Sequence, residues 1–232
     1  MESLLLLGAG GLAREVIASV GSAGSHRIVG VLDDDHSLHG SRLDGVPVIG
    51  HISQAPLRDE QLLVCIESGP SRERVVRRMI TAGVESERFA TCVDPAVRVP
   101  SGCMVGPGSI LLPGGVLTAS VTIGSHVVAM PSVVFARDDV VADFATLNTG
   151  ALLGDGVHIG RGAELGMASA VRRRLMVGAY ATLGMGGVLM EDLPSYETWA
   201  GVPARRLDGQ RFFDRHQPAR VPGMALTAKR RR

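Results

Sequence analysis

Residues 141–166 read VADFATLNTGALLGDGVHIGRGAELG, with an aliphatic residue at 141, 147, 153, 159 and 165. The period of six extends well beyond this window. From 93 to 189 every sixth position is Val, Leu or Ile in 15 of 17 cases, although these types make up only 61 of the chain's 232 residues, so chance does not produce the pattern. The residue two before each is mostly small, and the one after is Gly at seven of them. A six-residue repeat of this kind is a short strand and a turn, with one aliphatic side chain sent into a narrow interior. Three units close one triangular coil, so 17 give a little under six coils stacked at about 4.8 Å, the spacing of paired strands. An all-β parallel β-helix is therefore expected over 91–207, with no loop interrupting it.

Upstream the rhythm differs. Apolar runs alternate with helical patterns in SLLLLGAGG, LAREVIASV, HRIVGVLDDD, QLLVCIESG and PSRERVVRRMITAG, which predicts a βαβαβ half-Rossmann domain over 1–90. Downstream, 208–232 ends in AKRRR and reads as a flexible tail. The 30 glycines beside five Phe, two Tyr and one Trp demand a core of small aliphatic side chains. A net charge of +1 implies neither nucleic acid nor membrane. The LLLL run is too short for a signal peptide core or a membrane span. Cys65, Cys92 and Cys103 lack metal-like spacing and sit in apolar contexts, so no metal is expected and a reducing cytoplasm is the simplest setting.

Gly8, Gly10 and Ala13 satisfy G-x-G-x-x-[GA] between a strand and a helix, and Asp33 and Asp34 follow the second strand where a ribose-binding acid lies. An NAD enzyme needs a second mononucleotide half, and here the repeat begins instead. The turn either holds phosphates on backbone N–H groups or only packs a helix onto a sheet.

The six-residue repeat, the LLLLGAGGLAREV opening, the LNTGALLGDGVHIG block and the closing WAGVPARRL together resemble the sialic-acid O-acetyltransferase and bacillosamine N-acetyltransferase family. These are hexapeptide-repeat sugar acyltransferases with a left-handed β-helix. The resemblance spans residues 3 to about 207. It implies an acyl-CoA donor, a nucleotide-sugar acceptor held by Gly8, Gly10, Gly11, Asp33 and Asp34, and a homotrimer with sites between subunits. Asn148 matches the family's LNT and is expected against the acceptor, His158 is a further candidate for chemistry through its closeness to Asp155, and Gly166 and Gly184, with Arg172 and Arg173 where the family has small residues, are expected along the CoA groove.

The chain departs from the family pattern where chemistry is expected. Aligned residue by residue, Asp155 and Glu164 stand where the two active-site histidines belong, Gly156 replaces a neighbouring acid, Leu12 replaces the His of GAGGHA, and CIESG replaces an Ile-Gly turn. Residues 18 apart stack in a three-unit coil, so Arg137, Asp155, Arg173 and Glu191 form one column of alternating sign. Asp155 is then either a rung of an ion-pair ladder or a substitute base; two flanking guanidiniums favour the carboxylate and make it a poor proton acceptor. The arginines at 172–174 either grip CoA phosphates or pair internally, Arg174 with Asp192. Loss of both imidazoles favours an amine acceptor over a hydroxyl. The expected activity is N-acyl transfer from an acyl-CoA to an amino sugar or other small amine. The alternative is a relative that has lost catalysis and binds or scaffolds, or that uses another donor.

Overall fold

The computed structural model of this protein describes residues 2–24 and 26–207; the stretch 208–232, read above as a tail, lies outside them. The N-terminal unit is a five-stranded sheet of β1 (Glu2–Leu7), β2 (His26–Leu32), β3 (Arg42–Leu43), β4 (Val46–Gly50) and β5 (Gln61–Val64), in the order β3-β4-β2-β1-β5. Its interior strand β1 carries Leu4 to Leu7, all fully buried, because a parallel strand covered on both faces has no polar side. Helix α1 (Gly11–Ala23) joins β1 to β2, and α2 (Gly69–Thr81) follows β5. The β3–β4 hairpin is an addition to the three strands that the apolar runs predict. Asp44 and Gly45, with φ of 44° and 90°, make its tight turn.

From Cys92 onward the chain winds as a left-handed parallel β-helix of two-residue strands on three faces. Strands pair in register with those 18 residues away, as in Thr146 with Glu164 and His158 with Met176. The first face, through Ile110, Val128, Thr146, Glu164 and Thr182, receives the N-terminal unit, and we call it the docking face. The second, with outward residues Val116, Val134, Leu152, Ala170 and Val188, carries no charge and is the apolar face. The third holds His158 and is the histidine face. Inward residues from all three form one continuous core from Val97 to Ala204.

The corners have their own period. Every sixth residue from Gly102 to Gly186 is left-handed, with φ between 53° and 90°, including Ser120, His126, Ser132, Asp138, Phe144, Ala168, Arg174 and Tyr180. Non-glycine residues carry strain in this region, so closing the coil, rather than local preference, sets these angles.

Contacts from both helices hold the N-terminal unit on the docking face. On α1, Ser19 Oγ donates to Asp94 Oδ2 at 2.6 Å. On α2, Arg72 is fully buried and its five N–H groups reach six acceptors. These are the carbonyls of Ile66, Glu67, His126, Phe144 and Ala145, and Thr146 Oγ1. Gly69 permits this approach, since a Cβ there would collide with the Phe144 carbonyl.

Candidate active site

Two depressions lie where the N-terminal unit meets the β-helix. The loop after β5 is held in place at both ends: Ser68 Oγ caps α2 by accepting from Ser71 N–H, and the Glu67 carbonyl accepts from Arg72 at 2.9 Å and Thr146 Oγ1 at 2.8 Å. Between this loop and the docking face lies a polar cleft of about 460 Å³, edged by Ser68, Ser71, Arg74, Thr146, Tyr180 and Thr182. Along the corner that follows the docking face runs an apolar groove of about 710 Å³, walled by Met130, Met167, Met185 and Ala200 and floored by Gly166 and Gly184. Coils stack so closely at this floor that a Cβ on Gly166 would run into the backbone of Gly184 and Met185. Bare backbone and thioether walls suit an extended, weakly polar chain.

Among the described residues, only Glu67, Asn148 and Glu164 border both depressions. Asn148 sits at the exit of the docking face, where its Nδ2 donates to the Leu165 carbonyl at 3.0 Å and to Glu164 Oε1 at 3.3 Å. Glu164 also lies in the field of the buried Arg72 guanidinium. Glu67 reaches the neck from the N-terminal unit. Its Oε1 would stand 3.1 Å from a Cβ on Gly11, so the missing side chain at Gly11 leaves room for this carboxylate over the first turn of α1.

Of the residues expected from sequence, Asn148, Glu164, Gly166 and Gly184 thus come together. Asp155, Arg172 and Arg173 do not join them; they lie on the corner between the apolar and histidine faces. His158 points outward from the histidine face, with Nδ1 3.3 Å from the Gly156 carbonyl, and borders neither depression. The charged ladder is realised in one rung only, Arg137 Nη2 to Asp155 Oδ2 at 3.2 Å. Among the described residues no ion pair joins Asp155 to Arg173, and Glu191 pairs with Arg205 at 2.9 Å instead. Asp192 caps Met176 N–H rather than meeting Arg174. The strands hold the 18-residue register, but side chains at a corner fan apart. With Arg137 and Asp155 65% and 43% exposed, their pair is worth little, and Asp155→Asn should change the urea-unfolding free energy by under about 1 kcal/mol.

At the Gly-rich turn, Asp33 Oδ2 accepts from Ala9 N–H at 2.6 Å and its Oδ1 from Asp35 N–H at 2.8 Å. Asp34 is engaged by Arg78 at 2.9 Å and by His51 Nε2 at 3.1 Å. The two carboxylates therefore order the turn and its flank. Gly8 lies against the Cys65 carbonyl with φ 105°, a packing role beside any ligand role. Gly10 is the N-cap of α1 and offers no side-chain cap.

Sequence reasoning missed Glu67 and Arg72 and the ion cluster around Glu73, which accepts from Arg161 at 3.0 Å and Tyr180 at 2.8 Å across the domain boundary. The CIESG departure was the available signal for Glu67. His126 is no candidate for chemistry. It is packed between Phe89 and Phe144, and burial, then the Arg72 charge, pushes its imidazole down to about 4. Among the described residues no group of three or more His, Cys, Asp or Glu side chains is arranged to hold a metal, and no helix is long and apolar enough to cross a membrane.

Residues 3–79 match the PglD N-terminal domain. The whole structure superposes on a single-histidine variant of perosamine N-acetyltransferase from Caulobacter crescentus, in complex with CoA and GDP-perosamine, with a TM-score of 0.83 and 26% identity over 90% of this chain and 98% of that one. It is also similar to the acetyltransferase domain of PglB from Neisseria gonorrhoeae, with a TM-score of 0.81 and 23% identity over 89% of this chain and 100% of that one. WeeI from Acinetobacter baumannii gives 0.77 and 24% over 89% and 100%. At these identities the last two speak to the fold. No curated protein sequence matches the chain.

Proposed function

We propose that this protein is an acyl-CoA-dependent N-acyltransferase acting on an amino sugar, and that the sugar arrives nucleotide-linked. The observation that carries the reading is the meeting of a polar cleft and an apolar groove at Glu67, Asn148 and Glu164. The groove suits the thin arm of an acyl-CoA laid along the bare backbone of Gly166 and Gly184, and the cleft suits a hydroxylated ring. Acyl group and amine then meet at the neck, where alignment of the two reactants supplies much of the acceleration. Likeness to an N-acetyltransferase in complex with CoA and GDP-perosamine supports the same substrate classes here.

In this reading Asn148 orients the acceptor and Glu164 faces its amine. The Gly8–Gly11 turn with Asp33 and Asp34 shapes the nucleotide end. The uncharged apolar face, on which Val116 and Leu152 are 46% and 47% exposed, packs against copies of itself in a trimer. Such packing offers Asp155, His158, Arg172 and Arg173 a route to a neighbouring copy's groove that they lack within one chain. The free thiols of Cys65, Cys92 and Cys103 suit a reducing, cytoplasmic setting.

CoA or acetyl-CoA at one hundred times its Kd should stabilise the fold by about 2.7 kcal/mol in thermal-shift measurements. Incubation of acetyl-CoA with nucleotide-linked amino sugars should yield an amide and free thiol. No stabilisation by any CoA ester overturns the reading. Stabilisation without product from any amine leaves a binding protein in place of an enzyme.

A further inference from the structure

The two imidazoles that the family resemblance leads one to expect are absent, and the residue at one of those positions, Asp155, borders neither depression. The neck nonetheless holds two carboxylates. Glu164 is committed to Asn148 and lies in the field of Arg72. Glu67 is different. Its backbone is clamped through the carbonyl by Arg72 and Thr146, while its exposed carboxylate, lying over Gly11 and near Glu15 on α1, accepts no hydrogen bond and joins no ion pair among the described residues. A residue that lines both depressions, held rigidly at its root and with its acid group unbonded, is within a side-chain rotation of the neck and can serve there as a proton acceptor.

We propose that Glu67 is the general base of this site, supplied by the N-terminal domain in place of the missing histidines. The inference rests on the acyl-transfer reading above. The acceptor binds as the neutral amine, its first proton having gone to solvent. Nitrogen attacks the thioester carbonyl carbon and forms the C–N bond while Glu67 takes the second proton. The C–S bond then breaks, and the departing thiolate receives that proton from Glu67. The products are an amide and a thiol, and Glu67 returns to its carboxylate. Asn148 and Glu164 orient the nitrogen without exchanging its proton. A base on the loop that also walls the acceptor cleft links domain docking to catalysis: Arg72 fixes the Glu67 carbonyl and hence the root of the base.

The test is Glu67→Gln and Glu67→Ala in the full chain. Glu67→Gln should lower kcat by about 10²-fold or more, the range of general-base contributions, with KM for both substrates and the thermal midpoint close to wild type. Glu67→Ala should lose as much and recover part of it when formate or acetate is added, since a small carboxylate fills the space left. An unchanged kcat in Glu67→Gln overturns the proposal, as does a raised KM with kcat intact, which marks a binding group. Absence of carboxylate rescue in a stable, CoA-binding Glu67→Ala also counts against it. If the wild type neither binds CoA nor makes amide, the acyl-transfer reading fails first, so the two failures are distinguishable.

Discussion

Arg72→Met is expected to destabilise the protein by about 3–5 kcal/mol, the cost of stripping one member from a buried charged network. The side chain is fully buried and satisfies five carbonyl groups and Thr146 Oγ1, drawn from the loop after β5 and from two coils of the β-helix. Met fills much of the volume but donates nothing, leaving those carbonyls short of a partner at about 1–3 kcal/mol for a stranded buried group. Burial pulls the guanidinium down to about 9, and the surrounding carbonyl oxygens are what compensate the charge it keeps at neutral pH. Arg72→Lys should recover little, because an ammonium has three donors and no planar fork to span acceptors on opposite sides. Arg77→Met, exposed on the same helix, should stay within about 0.5 kcal/mol. Urea unfolding at neutral pH reads all three. A loss below about 1 kcal/mol in Arg72→Met would mean that water replaces the guanidinium and that the domain junction is looser than its hydrogen bonds imply.

The same residue marks where sequence reasoning stops. The β-helix was legible because each two-residue strand must send one apolar side chain inward, and that requirement prints a period of six onto the chain. The sheet of the N-terminal unit was legible from continuous apolar runs such as Leu4–Leu7. The left-handed corner positions were not, since eight of the fifteen from Gly102 to Gly186 hold residues other than Gly, and their conformation is imposed by closure. Nor does the spacing of PSRERVVRRM tell which face of α2 meets a second domain, so Arg72 reads as one more surface arginine. Asn148, Glu164, Gly166 and Gly184 could be placed because register alone brings them to one corner. Glu67 could not, because it reaches the neck only after docking. The 18-residue spacing predicts the right strand partners and the Arg137–Asp155 pair, but not the pairing of Arg173 or Glu191, where outward groups diverge and the antiparallel strand Arg205–Arg206 competes.

Inside the coil the same register produces an effect with a clear pH signature. Asp139 occupies an inward position of the column that holds Val121 and Val157, and it is fully buried. Its carboxylate accepts from Ala136 and Val157 N–H, each at 2.8 Å. Burial pushes the group from 3.8 up to about 7; the two N–H groups pull it back down, and nearby Asp155 adds to the rise. An acid whose folded value is raised binds its proton more tightly in the fold. Its contribution is therefore complete below about 4 and fades as pH climbs through about 7. The full window is worth about 4 kcal/mol at 1.36 kcal/mol per unit, an upper figure given the N–H groups that favour the ionised form. Asp139→Asn removes the titration and, by facing one N–H with another, adds a cost of about 1–3 kcal/mol that does not vary with pH. Urea unfolding of both proteins at pH 4.5 and 7.5 should show the wild type's advantage shrinking by about 2–4 kcal/mol as pH rises. Asp155→Asn should narrow that change, because it withdraws the neighbouring negative charge that helps hold the Asp139 proton. An advantage that stays constant across the range would mean that Asp139 is ionised throughout and that its two N–H partners outweigh its burial.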